Sequence, residues 1–138
     1  MENREIGLEE IYDRIKSQKD VLGISQFRRT PTSPIDSTPY IVMLEDVDEI
    51  VKKNARNPLG YPCVRDLEVI VELTVNAEET DIRSLLRQVR SAVFSGGAEI
   101  ADRIFIREAR TIGPFGYGVP EILGMRLILS MTYTDLGV

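Results

Sequence analysis

The sequence predicts an α+β fold: one mostly antiparallel sheet of about four to five strands, two helices packed on one face, and a long loop or hairpin excursion. Three observations carry this. Leu67-Glu-Val-Ile-Val-Glu-Leu-Thr-Val75 alternates with a period of two, so Leu67, Val69, Val71, Leu73 and Val75 share one face while Glu68, Ile70, Glu72 and Thr74 share the other. Met125 to Tyr133 repeats the pattern, with Met125, Leu127, Leu129, Met131 and Tyr133 opposed to Arg126, Ile128, Ser130 and Thr132. Between these stretches lies a single amphipathic segment. A helix with one apolar stripe needs an apolar sheet face to bury it.

Leu8, Ile11, Tyr12 and Ile15 fall on one helical face opposite Glu9, Glu10, Asp13 and Lys16, which predicts a first helix over about 6–20, closed by Gly23. Ile24 to Arg29 can form a short strand. The three prolines between Thr30 and Pro39 exclude that run from a sheet interior and make it an extended loop. Tyr40-Ile-Val-Met-Leu44 is a compact apolar strand. From Val47 to Arg65 the chain turns from acidic to basic and carries Asn57-Pro-Leu-Gly60, so it is read as the excursion.

The second helix is expected over 78–95, capped by Asn76 with Glu79 three residues on. Its apolar stripe is Ile82, Leu85, Leu86, Val89 and Val93, and Gly96-Gly97 stops it. Arg103 to Thr111 supplies a further short strand, and Gly113-Pro-Phe-Gly-Tyr-Gly118 links it to the last one. With 138 residues, 43% of them hydrophobic, one domain spanning 1–138 is expected, burying roughly two-thirds of the surface its unfolded chain exposes.

Composition removes several chemistries. There is no histidine, so Ser-His-Asp, Cys-His and His-based zinc sites are excluded; the single cysteine, Cys63, permits neither an internal disulfide nor a thiolate cluster and reads as a small apolar residue. A net charge of -5 argues against a general grip on nucleic-acid backbones. No apolar run reaches the ~20 residues that span a bilayer, and the charged opening Met1-Glu-Asn-Arg-Glu5 is unlike a secretory signal, so no membrane association and an intracellular, soluble protein are expected.

The glycine-rich run 113–118 lacks the helix start and Lys-Ser or Lys-Thr pair of a phosphate loop. It reads as a turn between strands or, through Phe115 and Tyr117, as a contact loop. Glu45, Asp46, Asp48 and Glu49 lack calcium-loop spacing and read as solvated loop charge. Arg83, Arg87 and Arg90 form a stripe that is either the wet face of the helix or a protein-contact ridge. Lys52, Lys53, Arg56 and Asn57 lie in the excursion, where they are solvated or meet an acidic partner or passing DNA. The second sheet face, with Ile70 and Ile128 among Glu68, Glu72 and Arg126, is too mixed for a core and suits a subunit interface. No catalytic, cofactor or metal residues are assigned, and a non-enzymatic protein is expected.

The order of elements, from the N-terminal helix and the Pro-rich run into Pro39-Tyr-Ile-Val-Met-Leu44, through the excursion, the Leu67 to Val75 strand and the 78–95 helix, to Met125-Arg-Leu-Ile-Leu-Ser-Met-Thr-Tyr133, resembles the tail terminator (tail completion) proteins of long-tailed bacteriophages and related contractile particles. The resemblance lies in layout and length more than in shared motifs. It implies a structural virion protein, without cofactor, at the head-proximal end of the tail and assembled in the host cytoplasm. Its implied form is a homo-oligomer, a hexameric ring, that caps the tail tube, ends tube polymerisation and offers a joining surface to the head connector. The implied partners are the tail tube protein, the head connector protein and, in a contractile particle, the sheath protein, with DNA passing through the lumen unbound. Two alternatives stand beside it: a head–tail connector or stopper ring, and a small-ligand sensor or enzyme using the 113–118 loop and the acidic run.

Overall fold

The computed structural model describes residues 2–29, 37–45, 48–51 and 60–137. Helix α1 (Asn3–Lys16) buries Leu8, Ile11 and Ile15 of the expected stripe together with Gly7, while Tyr12 is half-buried, and it begins earlier than the sequence suggests. It ends at Lys16, and a separate turn, α2 (Lys19–Leu22), follows before Gly23 takes the left-handed conformation at φ 69° that glycine adopts without strain.

The sheet has seven strands among the described residues rather than four to five. They are β1 (Gln26–Arg28), β2 (Tyr40–Leu44), β3 (Glu49–Val51), β4 (Cys63–Asn76), β5 (Glu99–Ala101), β6 (Ile104–Gly116) and β7 (Ile122–Asp135). The two additional strands, β3 and β5, are three residues long and too short to display a period in sequence. The order is β1-β2-β4-β7-β6-β5, with β3 sharing the β2 side of β4; every pairing is antiparallel except β1 with β2. At the centre β4 and β7 pair without interruption from Cys63↔Asp135 to Asn76↔Ile122.

Leu67, Val69, Val71, Leu73 and Val75 all enter the core, as do Met125, Leu127, Leu129, Met131 and Tyr133 of β7. Helices α1 and α3 (Ile82–Phe94) cover that face; α3 contributes Ile82, Leu85, Leu86, Val89 and Val93. The cap of α3 differs from the expected one. Asp81, not Asn76, sits at its N-terminus and accepts hydrogen bonds from the Arg83 and Ser84 N–H groups at 3.1 and 3.5 Å. The Asn76 side chain accepts instead from the Glu78 N–H, closing a turn. The helix starts where its first buried residue, Ile82, starts, and the aspartate just before it is the residue placed to cap.

The other end of α3 is held from α1. The Arg14 guanidinium donates to the carbonyls of Val93 and Gly97 at 2.7 and 2.9 Å, and its Nε donates to Glu10 at 3.1 Å. Those carbonyls lack partners within a helix, and a cation there also meets the negative end of the helix dipole. Nearby, Arg29 bridges Glu5 of α1 and Glu45 after β2, with contacts of 2.6 and 3.0 Å, locking the helix to the β1–β2 side of the sheet. Glu5 is held below its ordinary pKa, chiefly by its hydrogen bond from Arg29.

Candidate interface on the outer sheet face

No helix among the described elements covers the second face of the sheet, and the strand registers arrange it in cross-strand rows. Leu44, Ile70, Ile128 and Arg110 form one row across β2, β4, β7 and β6. Val42, Glu72, Arg126 and Ile112 form the next, and Tyr40, Thr74, Gly124 and Phe115 the third. Such opposed residues are the contacting units of a sheet face.

Ile70 and Ile128 oppose each other directly and are only 6% and 2% exposed, so they fill the floor of this face within the single chain and offer little area to a partner. Around them the polar residues pair. Arg126 Nε lies 3.6 Å from Glu72, too far for a hydrogen bond, and is buried without another partner; Arg110 reaches Glu68 at 4.0 Å. Partly exposed ion pairs of this kind each stabilise by ~0–1 kcal/mol. They fix side-chain positions more than they hold the fold.

The segment 115–117 folds back over the third row. Tyr117 donates to Glu72 at 2.8 Å and lies 3.4 Å from the Thr74 hydroxyl, while the Arg126 guanidinium sits 5.6 Å from the centre of the Phe115 ring. Phe115 and Tyr117 meet edge to face with centroids 5.5 Å apart. Gly124 makes this possible: a Cβ there would stand 2.5 Å from the Tyr117 hydroxyl and 2.7 Å from Phe115 Cε2. Burial pushes the Tyr117 phenol up to about 12, and its bond to Glu72 adds to the rise. The result is an aromatic lid over a carboxylate–guanidinium pair, suited to recognition.

Thus Glu68, Ile70, Glu72, Phe115, Tyr117, Arg126 and Ile128, scattered in sequence, converge on one face. The arginine stripe does not join them. Arg83 and Arg87 project, exposed, from the helix layer, and Arg90 is engaged by Glu108 of β6 through contacts of 3.0–3.1 Å. Lys52, Lys53, Arg56 and Asn57 lie outside the described residues. The sequence places Thr74 on this face by alternation but does not single out Gly124, Arg107, Arg110 and Ile112, whose place follows from register; only the alternation Phe105, Arg107 hints at it.

The acidic run is not free solvated charge throughout: Glu45 binds Arg29, and Glu49 accepts a hydrogen bond from Tyr133. Glu49 and Tyr133 line a cleft of about 530 Å³ with Arg4, Arg65 and Asp135. Within it Arg65 donates to Asp135 at 2.7 Å and Tyr133 to Glu49, while Glu2 also lines the cleft. Cys63 is buried as a free thiol. Among the described residues no three His, Cys, Asp or Glu side chains are grouped to hold a metal ion, and no helix is long and apolar enough to cross a membrane.

No protein-family model matches the sequence, and no curated protein matches it. The fold does have a counterpart among solved structures. A chain in the structure described as the virion of a native gene transfer agent particle is similar with a TM-score of 0.54 and 12% identity, over 91% of this chain and 92% of that one. At that identity the likeness is one of fold. It spans both chains nearly end to end, so the α+β sandwich is shared as a whole.

Proposed function

We propose that this chain is a structural, non-enzymatic component of a phage-like virion, and that within the particle it forms a ring, hexameric in the arrangement implied by the sequence resemblance, that caps the tail tube, ends its growth and meets the head connector while DNA passes through. The near-complete overlap with a chain of a gene transfer agent virion carries this reading. The outer face supports it, because its ordered pairs and aromatic lid make a surface suited to recognition by a neighbouring protein.

The test is tube growth. Purified protein added to polymerising tail tube protein is expected to arrest tubes at a limiting length, with the chain found at one tube end by immunogold labelling. Tubes that grow unchanged, with the chain absent from their ends, would sink the terminator role. The chain found only on the connector side of an already closed tail would favour the stopper role.

A further inference from the structure

The sheet ends differently on its two sides. On one side β5 covers only the start of β6, and Arg107 to Pro114 are all exposed, with no strand on their outer edge among the described residues. On the other, the path ends at β1, and β3 pairs with β4 and, among the described residues, with no further strand; Glu49, Ile50 and Val51 are all exposed. Long exposed edges bind strands indiscriminately unless charge, proline or bulges blunt them. The β6 edge has all three: Arg107 and Arg110, Pro114, and irregularities between Glu108 and Arg110 and between Ile112 and Phe115. What remains regular beyond the first bulge is Arg110-Thr111-Ile112, three residues, the same length as β3.

The chemistry of the two edges is complementary. Glu108 is engaged by Arg90 at 3.0 Å, whereas Arg110 keeps only a 4.0 Å contact to Glu68 with its side chain 66% exposed, which leaves Arg107 and Arg110 as the charge of the β6 edge. The β3 edge is acidic, with Asp48 exposed just before Glu49. Each edge also carries an exposed isoleucine, Ile112 at 37% and Ile50 at 61%. Pairing β6 with β6 across a two-fold axis would set arginines against arginines. We infer that the Arg110–Ile112 edge of one copy joins the Glu49–Val51 edge of the next, continuing the sheet from subunit to subunit. This contact uses different surfaces on its two sides and so generates a ring when the rotation closes. It rests on the ring reading above and names the surface that builds the ring.

Charge reversal tests it on the whole chain. In sedimentation across a concentration series, R110E alone and D48K alone are expected to raise the concentration for assembly at least about tenfold, and R110E with D48K in one chain to restore it to within about threefold. Circular dichroism of each variant checks the fold, and hydrogen exchange on the unaltered protein is independent of any variant: amides of 110–112 and 49–51 should slow in the assembled form. Assembly unaffected by either single reversal, or an assembled form with fast exchange at both edges, overturns this contact while leaving tube capping intact. A chain that stays monomeric at every concentration overturns the contact as well, and tube arrest then judges the capping role separately.

Discussion

Replacing Gly124 by alanine isolates the aromatic lid. The backbone at Gly124 is not in the left-handed region, so alanine is allowed there and on its own should stabilise the strand by about 0.5–1 kcal/mol. Against that, the new methyl would sit 2.5 Å from the Tyr117 hydroxyl and 2.7 Å from Phe115, and both rings must swing outward. The losses are the edge-to-face pair, about 1 kcal/mol, and the Tyr117–Glu72 hydrogen bond, whose charged acceptor makes it worth about 1.5 kcal/mol at this partly exposed site. The loss exceeds the gain, and G124A should be less stable by about 1–2 kcal/mol, a fall in Tm of roughly 3–7 °C for a chain of this size. Ultraviolet titration of the tyrosines gives a second readout, because Tyr117, released from burial and from Glu72, should return from about 12 toward the ordinary phenol value. Unchanged or raised Tm together with an unchanged titration would refute this account of Gly124.

Arg14→Met keeps the apolar stem but removes both bonds to the end of α3, and urea unfolding should show a loss of about 2–4 kcal/mol, with hydrogen exchange fastest in the last turn of that helix. Asp81→Ala should lower stability by about 1 kcal/mol in the same assay, while Asn76→Ala, which touches only the preceding turn, should lower it by less. Glu5 and Asp135 both have folded pKa values below their ordinary ones, Glu5 chiefly through Arg29 and Asp135 chiefly through the Gly137 N–H, then Arg65. Their contribution is present above the unfolded carboxylate range and lost as pH falls through the folded values, so Tm measured downward from neutrality should drop below about pH 4, less steeply in E5Q. Tyr117 has the opposite sign: its raised value gives a contribution that is complete below about pH 10 and disappears as pH rises toward about 12, which the alkaline limb of the same Tm profile should show.

The parts of the fold legible in sequence are those with one wholly apolar side. β4, β7 and α3 each set such a side against a mixed or polar one, so their periods survive in the residues, although Ile70, Thr74, Ile128 and Ser130 on the second face of the sheet are buried as well. The far half of β6 buries neither face; Arg107 to Pro114 therefore carry no alternation, and Gly113-Pro114 reads as the end of a strand when it is a bulge within one. The site followed the same division. Glu72, Arg126, Phe115 and Tyr117 were each visible as candidates, but the lid depends on Gly124 standing opposite Thr74 and Phe115, and a pairing register between distant strands leaves no local mark.

The uninterrupted β4–β7 ladder also bears on how the chain reaches this state. Its rungs close loops of unequal length, the shortest from Asn76 to Ile122 and the longest from Cys63 to Asp135. Chain entropy favours the shorter closure, and forming α3 inside that loop draws its ends together. Zipping is then expected to run from Asn76–Ile122 toward Cys63–Asp135. The ladder end that nucleates on this route is the one beneath Thr74 and Gly124, so the ground on which the lid rests sets before the cleft at the opposite end has any walls.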